Sequence, residues 1–182
     1  MKRALLFSII FALTSLCVFA YETVIIKFPE GQLWIKGYYK KVGNEAILQY
    51  VPNGQSQHNW TESVVVHSYN HSTIPIINFT NTNIRRMLKI NPTANYKTLK
   101  SRADDMIIGR CTDDYGLIQG QCEFFRVTSA HGGIVTIHYM NKNKDMFMTH
   151  YTDWYNRIKR AKFYNSYYRN ERTFNKSEYF EL

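Results

Sequence analysis

Histidines, adjacent carboxylates and an alternation of cations with aromatic rings are the features of this chain that could do chemistry. His67 and His71 stand four apart, a spacing that on a helix puts two metal ligands on one face. Here they straddle the end of a predicted strand, so the spacing loses its helical meaning; no metal site is expected, and this pair is only a weak candidate. His131 falls in a turn, His138 near a strand end and His150 on the last predicted helix. None sits in a catalytic pattern: the chain has no G-x-S-x-G elbow, no phosphate loop and no H-E-x-x-H helix. A small secreted hydrolase that gathers dispersed histidines, or His with Asp, in three dimensions stays open as an alternative.

Asp104-Asp105 and Asp113-Asp114 raise the question of calcium. A calcium loop needs acidic residues at alternating positions, a glycine for the turn and a late glutamate. Asp113-Asp114-Tyr115-Gly116 offers two adjacent carboxylates and one glycine, which is the signature of a solvated hairpin turn. No cofactor is implied.

The cation–aromatic alternation lies near the C-terminus. Arg157, Lys159, Arg160, Lys162 and Arg169 are interleaved with Tyr155, Phe163, Tyr164, Tyr167 and Tyr168. Cations among amphipathic rings suit an anionic lipid surface, where rings sit at head-group depth and cations meet phosphates. The same mixture suits single-stranded nucleic acid, which is the less favoured partner. The plainer alternative is a helix whose aromatic stripe packs on a sheet while its charged face is solvated.

These residues must be positioned by a chain that begins like an export signal. Lys2 and Arg3 form a positive start, Ala4 to Leu16 is almost wholly apolar, and Val18-Phe19-Ala20 offers small residues for cleavage. Residues 1–20 are therefore expected to be a signal peptide, with residues 21–182 as a single domain and the stretch from about 164 as a less regular tail. The apolar run is short for a permanent membrane span. Leu16 is wrong for lipoprotein processing at Cys17. The formal charge of +9 falls to +7 without Lys2 and Arg3, a bias toward anionic partners and against inhibition of strongly basic enzymes. Cys111 and Cys122 then remain as an even pair, read as a disulfide because exported proteins meet an oxidising compartment.

Tyr21 to Lys27 is rich in β-branched residues and reads as a first strand. Gln32 to Lys41 and Glu45 to Val51 flank Gly43-Asn44 as a hairpin, and Ser63 to Ser68 is a short buried strand. Asn91-Pro92 looks like a helix start with Tyr96, Leu99 and Ala103 on one face, and Asn83 to Ile90 a preceding helix or turn. Met106 to Cys111, Cys122 to Ser129 and Gly133 to Tyr139 form an antiparallel meander. Phe147, Tyr151, Trp154, Tyr155, Ile158 and Ala161 make the apolar stripe of one terminal helix. The expected fold is α+β: an antiparallel β-sheet with a mid-chain helix and a C-terminal amphipathic helix packed on it.

The segment Tyr50-Val51-Pro52-Asn53-Gly54-Gln55, followed by Trp60-Thr61, resembles a motif of small exported bacterial proteins of unknown activity. Its form is (Tyr/Phe)-(Val/Ile)-Pro-x-Gly-(Glu/Gln)-x(4)-Trp-Thr. The resemblance implies that Pro52, Gly54, Trp60 and Thr61 are structural, with Trp60 anchoring the loop's return into the core. It also implies engagement of secretion machinery, since some of those proteins are type II secretion substrates of intracellular Gram-negative pathogens. In a bacterium the Asn-x-Ser/Thr triplets at Asn59, Asn70, Asn78 and Asn175 carry no glycosylation meaning. The leading expectation is a non-enzymatic exported protein, periplasmic or extracellular, whose basic surface engages an anionic membrane or a host protein. A periplasmic accessory factor working through a protein partner is the remaining alternative, and predicts an exposed apolar patch.

Overall fold

The structure, a computed structural model, describes residues 22–130, 132–165 and 179–181. The expected signal peptide, Tyr21, His131, Arg169 and the Tyr167-Tyr168 pair lie outside the described residues. The main sheet is antiparallel and seven-stranded, in the order β2-β3-β4-β8-β7-β6-β5. Its strands are β2 (Trp34–Val42), β3 (Glu45–Pro52), β4 (Glu62–Asn70), β5 (Asn95–Ser101), β6 (Asp105–Cys111), β7 (Cys122–Ala130) and β8 (Gly133–Asn141). Two meanders, β2 to β4 and β5 to β8, are thus joined where β4 pairs with β8. Helix α1 (Ile76–Ile90) carries the chain from β4 in the middle of the sheet to β5 at its edge. After β8 come α2 (Lys144–Thr149) and α3 (Tyr151–Arg160). A second sheet, β10-β1-β9, is built from β1 (Glu22–Ile25), β9 (Lys162–Asn165) and β10 (Tyr179–Glu181). This is an α+β architecture dominated by antiparallel sheet.

Alternation along the strands sends side chains to two differently covered faces. On one face Val64, Val66, Phe124, Ile137 and Tyr139 meet Phe147, Trp154 and Ile158 from α2 and α3, with Val24 and Ile26 from the first strand and its exit. Trp154 stacks on Tyr139 at 4.0 Å and 13° and is met edge-on by Trp34 at 5.5 Å. On the other face Met106, Phe125, Val127 and Ile134 receive Ile76, with Phe79 alongside. The central strands are buried on both sides, which is why Ile134 to Ile137 reads as an unbroken run without alternation. Both edge strands are blunted against further pairing. β2 exposes Lys36, Lys40 and Lys41 and has a register shift between Lys36 and Tyr38; β5 exposes Lys97 and has one between Thr98 and Lys100.

Three expectations are corrected. Asn91-Pro92 ends a helix rather than starting one. The Asn91 N–H bonds the Met87 carbonyl 2.8 Å away, closing α1, and its side-chain oxygen accepts from the Thr93 N–H at 3.0 Å. The segment after it is strand β5, not a helix. Its bulge turns Leu99 toward Gly109, where a Cβ would lie 3.3 Å from Leu99 Cδ1. A bulged strand places apolar residues three apart and so imitates helical spacing. The mid-chain helix instead begins at Ile76, directly after Pro75. Finally, the terminal stripe is carried by two helices that part at His150. Thr149 Oγ1 donates to the Asp145 carbonyl at 2.9 Å, a back-bond that bends helices. β9 and β10 flank β1.

Candidate functional site

The end of α3 is fastened to the sheet by one buried guanidinium. Arg126, on β7, donates through Nε and Nη2 to the Asp105 carboxylate at 2.8 and 3.1 Å. Its Nη1 donates to the carbonyls of Ile158, Lys159 and Ala161 at 2.7, 3.2 and 2.9 Å. Arg126 therefore caps α3 with a positive charge where the helix dipole is negative. Lys100 and Thr128 also bond Asp105. Burial raises the Asp105 carboxyl, but the hydrogen bonds from Arg126, Lys100 and Thr128 outweigh it and hold it below its usual range. The same linkage brings the β5–β6 turn, with exposed Arg102, up to the end of α3, where Lys159, Arg160 and Lys162 are exposed. Asp104 is the exposed carboxylate in that turn, leaving cations in excess.

The α1-facing side of the sheet carries a second polar constellation, laid across six strands. From β5 inward, Arg110 lies over the Tyr96 ring, its guanidinium carbon 5.8 Å from the centroid. Arg110 Nη2 meets the buried Glu123 carboxylate at 2.8 Å, and His138 Nδ1 lies 3.7 Å from the same oxygen. Burial opposes ionisation of Glu123, yet His138 and Arg110 together hold its carboxyl below the usual range. The His138 ring stacks on Phe125 at 4.4 Å. On β4, His67 bonds Glu45 through Nε2 at 3.2 Å and Tyr69 Oη through Nδ1 at 2.9 Å. Burial pushes the His67 imidazole down, against the pull of Glu45, and pushes the Tyr69 phenol up to about 12.

The cations expected to act together separate into two groups. Arg157 is engaged in the fold: its Nε meets Asp153 at 2.8 Å, and its Nη1 donates to the carbonyls of Lys27 and Phe28 at 2.9 Å each. Lys159, Arg160 and Lys162 remain at the surface, with Lys159 Nζ 5.6 Å from the Tyr155 ring. Tyr155 and Phe163 are half-buried and pack against the core, so only part of each ring is exposed beside those cations. His67 and His138 share a face, whereas His71 is exposed in a turn at φ 61° and His150 lies at the α2–α3 break. No group of three potential metal ligands occurs among the described residues.

Cys111 and Cys122 form the expected disulfide, directly opposite each other on β6 and β7. The Pro52–Thr61 loop closes through Gln55, whose Oε1 accepts from the Thr61 N–H at 2.8 Å and whose Nε2 donates to Thr61 Oγ1 at 2.9 Å. That two-point contact accounts for an amide or acid after Gly54, which itself sits at φ 86°. Trp60 does not enter the core; it is half-buried under Lys142 Nζ, 4.3 Å from the ring centroid. Arg126 and Glu123 escaped the sequence reading. The signal for Arg126 was present, as a single charge inside the run Phe124-Phe125-Arg126-Val127. Neither any known protein family nor any curated protein matches this chain. Among the described residues no helix is long and apolar enough to cross a membrane.

Proposed function

We infer that the protein is exported and works without catalysis, binding an anionic phospholipid surface through the basic end that Arg126 assembles. The carrying observation is the set of exposed cations Lys159, Arg160 and Lys162 at the end of α3, which buried Arg126 fastens to Asp105 at the turn that holds exposed Arg102. Export rests on the charged, apolar and small-residue order of residues 1–20 and on the Val-Pro-x-Gly…Trp-Thr resemblance, with a disulfide that suits an oxidising compartment. Because Tyr155 and Phe163 pack inward, attraction at this end is electrostatic and salt-sensitive.

Each cation near an anionic bilayer contributes about 1 kcal/mol. Neutralising Lys159, Arg160 and Lys162 together should weaken binding by roughly 100-fold. The test is co-sedimentation of the chain from Tyr21 with phosphatidylcholine vesicles, with and without phosphatidylglycerol, at low and moderate salt. Binding that needs the anionic lipid, fades with salt and is lost in Lys159→Gln/Arg160→Gln/Lys162→Gln supports the reading. Binding that ignores these changes refutes it.

The convergence of His67 and His138 favours hydrolysis as a second reading. Both rings are tied to carboxylates, and among the described residues no Ser, Thr or Cys side chain bonds either ring, so any nucleophile would be a water. Hydrolysis of a panel of esters and phosphoesters that disappears in His138→Ala would establish it.

A further inference from the structure

The β6–β7 hairpin tip is the most exposed apolar feature described. Leu117 is 107% exposed, Tyr115 49% and Ile118 41%. The tip is fixed by its own hydrogen bonds. Tyr115 and Ile118 exchange two backbone bonds of 3.0 Å, and Gly116 turns the chain at φ 60°. Below it, Gly120 passes so close to the opposite strand that a Cβ would lie 2.7 Å from the Thr112 carbonyl, and the disulfide closes the base. Asp113 is the anchor: its carbonyl accepts from Asn91 Nδ2 at 2.9 Å and its N–H donates to Thr93 Oγ1 at 3.0 Å. Lys144 Nζ meets the Asp113 carboxylate at 3.7 Å.

Both carboxylates beside the apex are exposed, and each has a partner. Asp114 Oδ1 accepts from the Gly120 N–H at 2.6 Å, and Asp113 is matched by Lys144, so Tyr115-Gly116-Leu117-Ile118 itself carries no charge. Through Asn91 the tip adjoins the end of α1, with exposed Ile90 and Lys89. Through Lys144 it adjoins α2, with exposed Met146 and Met148. Lys142, over the Trp60 ring, leaves the same end of the sheet. An uncharged apex with a tyrosine beside it and lysines set back follows the depth profile of a bilayer interface.

We propose that this hairpin is a membrane-inserting tip: Leu117 and Ile118 enter the bilayer interface, Tyr115 lies at head-group depth, and Lys89 faces lipid phosphates. The shape favours a bilayer over a protein pocket. Leu117 stands fully exposed at the apex, and the exposed apolar side chains of the adjoining elements, Ile90 on α1 and Met146 and Met148 on α2, belong to two separate helices. Rigidity favours insertion, because a preformed tip loses little conformational freedom on docking. The proposal is independent of the anionic surface proposed above, since β6 places Arg102 and the α3 terminus about 20 Å away at its opposite end.

The experiment uses the chain from Tyr21, which carries every described residue, with vesicles of phosphatidylcholine alone at moderate salt, where charge contributes little. Leu117→Trp adds a reporter at the apex, and the unsubstituted protein supplies the background from its own tryptophans. Expected are a blue-shifted added emission, its quenching by lipids brominated along the acyl chain, and flotation with the vesicles. Leu117→Ser/Ile118→Ser should weaken partitioning at least about tenfold while leaving thermal unfolding unchanged. Lys159→Gln/Arg160→Gln/Lys162→Gln should leave it intact, which separates failure here from failure of the anionic-surface reading. An added emission that stays red-shifted and open to aqueous quencher at every lipid concentration would overturn the proposal. So would partitioning equal in the Ser/Ser variant, or insertion only when a second protein is present.

Discussion

Replacing Arg126 by Met tests whether one buried guanidinium organises the basic end. Methionine keeps much of the apolar stem but removes every donor. Asp105 would lose its bidentate partner, and the carbonyls of Ile158, Lys159 and Ala161 would lose theirs. Removing one member of a buried pair costs about 3–5 kcal/mol. Lys100 and Thr128 stay on Asp105, which favours the lower part of that range, about 3 kcal/mol. Urea unfolding at neutral pH should show a lower midpoint with little change in slope. Arg126→Lys should recover little, since one ammonium cannot address the carboxylate and three carbonyls together. The pH dependence has a definite sign. The Asp105 carboxyl is depressed in the folded state, so its contribution is present above the ordinary carboxylate range and is lost as pH falls through the folded value. Arg126→Met should shrink that acid-sensitive part, and coupling to Asp105→Asn in a double-mutant cycle should exceed about 1 kcal/mol. A loss below about 1 kcal/mol with no coupling would show that Arg126 does not hold α3 to the sheet.

Three further outcomes follow from particular contacts. His67 is depressed by burial, so stability should fall as pH drops below about 6.5 and level off below its folded value; His67→Gln should flatten that slope in chemical denaturation. Cys111→Ser/Cys122→Ser should lower stability by about 3 kcal/mol, the closure entropy of so short a loop, and an unchanged midpoint would contradict it. Trp154→Ala should cost about 3–5 kcal/mol in urea unfolding, because its ring is sandwiched into the core against Tyr139 and Trp34; a much smaller loss would mean that α3 contributes little to that core.

Those contacts differ in how far they could be read beforehand. The strands with local signatures were legible: β3 ends at Pro52 and Gly54, β2 and β3 turn at Gly43-Asn44, and the cysteines bracket a turn with glycines. Where a local signal served another purpose, it misled. Asn91-Pro92 is a helix start in isolation, but α1 had already placed its last carbonyls there, so the asparagine closes one element instead of opening the next. Leu99 kept helical spacing only because a bulge absorbed one residue. The engagement of Arg157 was not legible for a non-local reason: it reaches carbonyls of Lys27 and Phe28, about 130 residues away in sequence. Register across β4 and β8, which brings His67 and His138 to one face, depends on two meanders meeting edge to edge. No short window of sequence contains that information.

The polar constellation under α1 bears on how this sheet is specified. Arg110 faces Glu123 across β6 and β7, while Glu123 reaches His138 diagonally across β7 and β8. His67 meets Glu45 across β3 and β4 and Tyr69 along its own strand. Hydrophobic strands buried on both faces carry little register information of their own, because a slipped valine still meets an apolar neighbour. A one-residue slip of β7 against β6 would instead carry Glu123 to the opposite face and leave Arg110 buried without its carboxylate, at a cost of several kcal/mol. The contact between the meanders has no such buried ion pair, but Glu62 supplies a polar fix there, accepting from Tyr139 Oη at 3.0 Å across β4 and β8. The charges that look most like an active centre thus have a sufficient structural use, which favours the proposed surfaces at the two ends of the strands, where cations and apolar side chains are exposed.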